Sequence, residues 1–432
     1  MSIPLDRLYH YIESVAEEVY GSSVIIYRFY PHGSKNLEDL NCLSFPVNSA
    51  KHESAIQICC NDQEPLNYSL YEGRTTLITE LEKMISAAGF SLPDSNLRKQ
   101  SLTNLYDRAL LLHSEQRSSN LEKYSANGFI PVYYWSHALI ALDWFRYAQY
   151  VQQKKQVKKT FLIYNRAWSG TREYRLAFAD SIIHLGMVNH CQMTCNPVDS
   201  EIDKHYNIHH FTNKAWQPKN VIEDYFPITT ATSNYSADFI IEDLESTDIE
   251  VVLETLFDDQ RWHLTEKSLR PIALGQPFIL AGTPGSLKYL RSYGFKTFAD
   301  CWDEKYDIIP DSQDRMNKIT ETMQQIVNWS PEEKIKKMEQ ARVIAKYNRQ
   351  HFFSKEFLQQ VENELRNNLT TALGEIELTN TSQKFIGRRK QYAQNSELKA
   401  ILTGTNIHPS DARTRQDIVQ VLAKARGYYL RR

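Results

Sequence analysis

Short apolar runs alternate with helical, more polar segments along most of this chain. The alternation is broken once, at the charged, apolar-poor stretch QQKKQVKK (Gln152–Lys159). SVIIYRFY (Ser23–Tyr30), AIQICC (Ala55–Cys60) and ALLLHS (Ala109–Ser114) read as buried strands. TTLITELEKMISAAG (Thr75–Gly89) between them has helical spacing and a closing glycine. After the break, TFLIYNR (Thr160–Arg166) reads as a strand and TREYRLAFADSIIHLG (Thr171–Gly186) as an amphipathic helix. ADFIIE (Ala237–Glu242), a helix starting at Thr265 and the strand PFILAG (Pro277–Gly282) continue the series. Strands alternating with helices specify parallel sheets covered by helices, because a parallel connection needs a crossover. Two such series predict an α/β protein with two Rossmann-like domains facing across a cleft, over residues 1–155 and 156–312. Helices over 313–373 and a basic tail over 374–432 complete the expected chain.

The 432 residues suffice for two or three domains, and the composition, 42% hydrophobic and 24% charged, is that of a globular protein. The net charge is −2, but residues 388–432 hold ten Lys/Arg against Glu397, Asp411 and Asp417, so this segment carries +7 and the remainder −9. Cys42, Cys59, Cys60, Cys191, Cys195 and Cys301 fit neither a disulfide framework nor a zinc spacing. No metal site is expected, His190 and His209-His210 included. The start of the chain has no basic-then-apolar signal, and no window is long and apolar enough to span a membrane. A cytoplasmic protein is expected.

Ligands of open α/β sheets gather at the carboxyl ends of strands, and four such ends are chemically loaded. After AIQICC, the loop Asn61–Leu66 presents Glu64 ahead of Pro65, a residue placed to act as general base toward a hydroxyl; a solvated turn reads equally well. His113 and Glu115 end the next strand and are candidate acceptor-side groups, with an ordinary hydrogen-bonded histidine as the alternative. After TFLIYN come Arg166, Trp168, Ser169, Gly170 and Arg172 at a helix entrance, where amides and arginines suit a phosphate. The fourth, WHLTEKSLRPIALGQPFILAGTPGS, is the most specific. Thr265 is a good N-cap, so Glu266 and Lys267 fall in the first helical turn, where the helix dipole disfavours a lysine unless an anion joins it. Lys267 suits a phosphate and Glu266 a ribose hydroxyl, with an isolated ion pair as the alternative. Pro271 is expected to end or kink the helix early. Gly282 and Gly285 let the backbone approach a ligand. The P-loop, the dinucleotide fingerprint and an Asp-x-Asp metal clamp are all missing.

Thr265-Glu266-Lys267, followed by a strand and a Gly-Pro-bearing loop, resembles the donor-binding motif of the α1,3-fucosyltransferases, and the Glu64-Pro65 pair is similar to that family's acceptor-domain Glu-Ser-Pro segment. The Phe-Glu-Asn that precedes Thr-Glu-Lys in the family is replaced by Ile241-Glu242-Asp243, across a longer gap. Stretches such as LLLHSEQRS and FIPVYYWSHA resemble glycosyltransferases of tailed bacteriophages. The resemblance implies a two-domain, inverting GT-B glycosyltransferase with no cofactor beyond its nucleotide-sugar co-substrate. Glu64 is then the base, Glu266 and Lys267 hold the donor, and Arg166 or Arg172 helps to stabilise the diphosphate. The acceptor expected is a hydroxylated pyrimidine in phage DNA, reached through the basic 388–432 segment. A lipopolysaccharide or other glycan acceptor, and a non-catalytic nucleotide-sugar or DNA-binding protein, are the alternatives.

Overall fold

The computed structural model describes residues 6–20, 24–28, 56–60, 62–66, 109–126, 129–151, 154–199, 202–226 and 237–384. The expected helix Thr75–Gly89 and the basic 388–432 segment lie outside them. The strands are β1 (Val24–Arg28), β2 (Ile56–Cys60), β3 (Ala109–His113), β4 (Ile130–Tyr133), β5 (Lys159–Asn165), β6 (Cys191–Cys195), β7 (Val198–Asp199), β8 (Lys204–His205), β9 (Thr247–Leu253) and β10 (Phe278–Ala281). The helices are α1 (Asp6–Tyr20), α2 (Ser119–Ala126), α3 (Ser136–Trp144), α4 (Tyr174–His184), α5 (Ile241–Glu245), α6 (Glu266–Leu274), α7 (Ser286–Ser292), α8 (Ser312–Val327), α9 (Pro331–Phe352) and α10 (Lys355–Lys384).

The chain forms two compact units. Unit 1 holds Glu115–Arg117 and Trp135–Glu362; unit 2 holds Pro4–Ser114, Ser118–Tyr134 and Asn363–Arg432. The change of unit at Tyr134–Trp135 comes ahead of the polar stretch at 152–159. Lys155 of that stretch is built into unit 1: its ammonium donates to the carbonyls of Thr247 (2.9 Å) and Leu244 and to the Gln276 amide oxygen. Burial pulls its pKa down to about 8.

Unit 2 contains a sheet of order β1-β2-β3-β4, each neighbouring pair parallel. Ile58, Cys60 and Leu110–Leu112 are buried in it. The loop beyond β2 is fixed at two points: Tyr134 donates its hydroxyl to the Asp62 carboxylate, and Asn120 donates to the Leu66 carbonyl at 2.8 Å.

Unit 1 contains a parallel sheet of order β10-β9-β5-β6. The chain runs outward from β5 to β6, then returns to the other side of β5 for β9 and β10. The strand order therefore reverses between β5 and β9. All seven residues of β9 are buried, as in a strand covered on both faces. The segment 237–242 is not a strand; it leads into the short helix α5, and the strand follows at 247–253. Asp248 and Glu250 interrupt the apolar pattern of β9, and each is paired inside the fold. Asp248 meets Lys334 (3.3 Å) and Arg342 (3.0 Å), and Glu250 meets Arg270 (2.6 Å).

Helix α6 continues through Pro271 to Leu274 and closes on Gly275 at φ 68°. Before it, the Trp135 indole donates to the Leu264 carbonyl (2.9 Å) and lies among Tyr289, Tyr293, Phe295 and Phe357. This aromatic cluster holds α3, α7 and the approach to α6 in one core. Among the described residues no helix is long and apolar enough to cross a membrane.

Candidate functional site

Where a parallel sheet reverses its strand order, the connections diverge and leave a crevice at the carboxyl ends of the two strands involved. In unit 1 those ends are Asn165 of β5 and Leu253 of β9. Arg175 of α4 is buried beneath them and donates to the carbonyls of Ala167 (2.6 Å), Leu253 (2.7 Å) and Glu254 (3.1 Å). Tyr174 adds a hydroxyl to the Glu254 carbonyl at 2.7 Å. Arg175 thus bridges the ends of β5 and β9, and both side chains donate to carbonyls buried at the strand ends.

Glu254, the first residue past β9, is fully buried and faces the start of α6. Its carboxylate accepts from the Thr265 amide (3.0 Å) and hydroxyl (2.8 Å) and from the Ser268 amide (3.2 Å) and hydroxyl (2.6 Å). Burial pushes its pKa up, but the Lys267 ammonium and these hydrogen bonds outweigh burial and hold it below the ordinary carboxylate value. Thr265 is the N-cap, its hydroxyl accepting from the Lys267 amide at 3.4 Å. The amino end of α6 is thus closed from the strand side by a carboxylate and locally by a hydroxyl.

Thr265, Glu266 and Ser268 are buried, and Lys267 is the half-buried member of the turn. Its ammonium lies 2.7 Å from Glu266 Oε1, while Oε2 lies 3.3 Å from Nδ1 of buried His137. Burial opposes the charge on Glu266, yet Lys267 and His137 keep its pKa well below the usual carboxylate range. Both residues stand in the first turn, as the N-cap at Thr265 requires. Glu266 is already engaged within the protein, whereas the lysine reaches the surface.

The loop after β5 differs from the sequence expectation. The amides of Trp168 and Ser169 donate to the buried Asp199 carboxylate at 2.6 and 2.8 Å. An internal anion therefore occupies the backbone donors assigned to a phosphate, and the positive charge left at this strand end is carried by side chains. Arg166 is half-buried, and it makes no hydrogen bond or ion pair among the described residues. Arg172 is also half-buried and donates to the Ser169 carbonyl at 3.3 Å.

The loop after β10 is tied to the fold at each step. Gly282 gives its carbonyl to Arg315 (3.1 Å), Thr283 donates its hydroxyl to the Arg261 carbonyl (2.7 Å), and the Trp262 indole donates to Pro284 (2.8 Å). Gly285 has φ 86°, and a Cβ there would stand 2.8 Å from Trp262 Cζ2. A Cβ on Gly282 would meet Ser286 Oγ at 2.8 Å. Internal packing alone accounts for both glycines. Trp262 is covered in turn by Arg117, whose guanidinium lies 3.6 Å from the ring centroid.

Of the acceptor-side candidates, Glu64 is half-buried on the loop after β2 and His113 is buried at the end of β3; both belong to unit 2. Glu115 belongs to unit 1, where its buried carboxylate is bound by Arg261 at 2.8 Å. It is a structural anion and not an open one.

Sequence reasoning missed Glu254, Arg175, Asp199 and His137. Glu254, and not Glu242 or Asp243, is the acid bound to the Thr265 turn; Glu242 and Asp243 sit in α5, before β9 begins. Its signal is an acid ending the run EVVLE, eleven residues before the N-cap it serves. Compared with protein-family models, curated proteins and solved structures, the chain matches none of them.

Proposed function

We propose that this chain is a nucleotide-sugar-dependent glycosyltransferase of the GT-B type, inverting at the anomeric carbon. Unit 1 takes the donor and unit 2 carries the base. The observation that carries this reading is the position of Lys267. In a turn whose other polar groups are buried and fixed, its half-buried ammonium stands at the amino end of the helix that follows the β5/β9 crevice. Arg166, at the end of β5, supplies a second cation that makes no hydrogen bond or ion pair among the described residues, although its charge also acts on Asp238. Two such cations suit a diphosphate, where negative charge grows as the glycosidic bond breaks.

In the proposed reaction Glu64 removes the proton from an acceptor hydroxyl. The oxygen attacks the anomeric carbon from the face opposite the nucleotide. The carbon–oxygen bond to the diphosphate breaks, and its electron pair leaves on the diphosphate oxygen. The acceptor proposed is a hydroxylated pyrimidine of viral DNA, and the +7 charge of residues 388–432 supports a polyanionic partner.

The test is a thermal-shift screen of the full chain against UDP, GDP, CDP, ADP and their sugar conjugates. One nucleotide is expected to raise the midpoint, Lys267→Ala to abolish the rise, and Glu64→Gln to keep it while losing transfer to hydroxymethylated DNA. A screen in which no nucleotide stabilises the protein would overturn the reading.

A further inference from the structure

Four ionisable side chains of unit 1 converge at the start of α6: Glu254, Glu266, Lys267 and His137. Two are acids and one is a lysine, so the group carries a net negative charge unless His137 is protonated. His137 is the second residue of α3 and only 5% exposed. Among the groups that face it are the Glu266 carboxylate at 3.3 Å and, through that carboxylate, the Lys267 ammonium and the Arg270 guanidinium, all from α6. The segment before α6 contributes the His263 ring, edge-on with centroids 5.2 Å apart. Glu254, at the end of β9, lies behind Thr265 and Ser268.

Lys267 cannot serve Glu266 and a diphosphate equally. Once its ammonium turns to a phosphate oxygen, Glu266 loses its nearest cation and is left with the field of Arg270, whose guanidinium is already held by Glu250 at 2.6 Å, a state that burial disfavours. His137 already stands at the other carboxylate oxygen, and imidazole is the side chain whose charge changes near neutral pH. We propose that binding of a nucleoside diphosphate ester at Lys267 is coupled to proton uptake by His137, which becomes the replacement cation for Glu266. This inference rests on the donor-site reading above. The ligand's own negative charge acts in the same direction. His137 is a positioning residue in this scheme: it holds Glu266 in place while Lys267 is engaged elsewhere.

The test uses the nucleotide sugar that gives the largest thermal shift among the UDP, GDP, CDP and ADP conjugates, since its diester phosphates do not titrate near neutrality. Titration calorimetry of the full chain at pH 7.5, in HEPES and in Tris, gives the protons taken up from the difference in apparent enthalpy. Wild type is expected to take up a substantial fraction of one proton per ligand. Its dissociation constant should rise with pH above neutrality, by at most about tenfold per unit. His137→Gln keeps a polar side chain but cannot carry the charge; its uptake should vanish and its affinity become flat with pH. Binding without uptake in wild type overturns the proposal, and that result stands even if the variant fails to fold. Uptake that persists in His137→Gln overturns it too, because Glu266 or His263 is then the acceptor. Absence of any binding by wild type overturns both this inference and the donor-site reading, whereas binding without proton uptake leaves the donor-site reading intact.

Discussion

The two sheets use parallel strands in different sequence. In unit 2 the chain steps from β1 through β2 and β3 to β4 in one direction; in unit 1 it leaves β5 on one side, returns, and continues on the other. Only the second pattern separates two neighbouring connections and leaves a crevice between strand ends. The acids beyond the strands differ accordingly. Glu254 of unit 1 is sealed inside, its carboxylate bound chiefly to the start of a helix, while Glu64 of unit 2 sits half-buried on a loop whose neighbours Asp62 and Leu66 are pinned. An acid at a strand end is thus sealed in or left half-buried according to what the topology places above it.

The contrast is sharpest in stability. Glu254→Ala should cost about 3–5 kcal/mol, because it strands the buried donors of Thr265 and Ser268 at the start of α6. Glu64→Ala should stay within about 1 kcal/mol. Urea unfolding of both variants checks this, and equal losses would break the comparison. Next in size, Gly285→Ala should cost about 2 kcal/mol through its left-handed backbone and the Trp262 ring, and Gly282→Ala less, since only the Ser286 hydroxyl must give way.

Acid should reveal the buried carboxylates. Glu254 and Glu266 have folded-state pKa values below their unfolded ones, so their contribution is fully present above about pH 4.3 and is lost as pH falls through the depressed values. Glu254→Gln should therefore lose less of its remaining stability between pH 4 and pH 2 than wild type does, as acid titration followed by circular dichroism would register. Smallest of all, Arg166→Ala should change stability by less than about 0.5 kcal/mol while weakening the nucleotide-induced shift. A large loss of stability would mean that Arg166 is a framework residue like Arg175.

Much of this was legible in the residues. β1, β2, β3, β5 and β10 are apolar runs and were readable as strands, and Thr265 announced both the helix start and the place of Lys267 in it. β9 was not legible, because Asp248 and Glu250 read as surface acids until Lys334, Arg342 and Arg270 are seen beside them. Asp199 was hidden for a related reason: the amides it binds are distant in sequence and carry no side-chain signal. Arg175 looks like any helical arginine until the carbonyls of two strands surround it. Local pattern shows where strands and caps fall. Which charged groups turn inward depends on partners many residues away.

The amides of Trp168, Ser169, Thr265 and Ser268 already bind carboxylates belonging to the protein itself. On the proposed reading, an anion arriving from outside is met by Lys267, Arg166 and Arg172. Recognition that rests on backbone amides changes only when the loop is rebuilt, because every residue offers the same N–H. Recognition that rests on three long side chains can be weakened or strengthened by single substitutions. Ligand preference in descendants of this chain is therefore free to drift quickly over a scaffold that stays fixed.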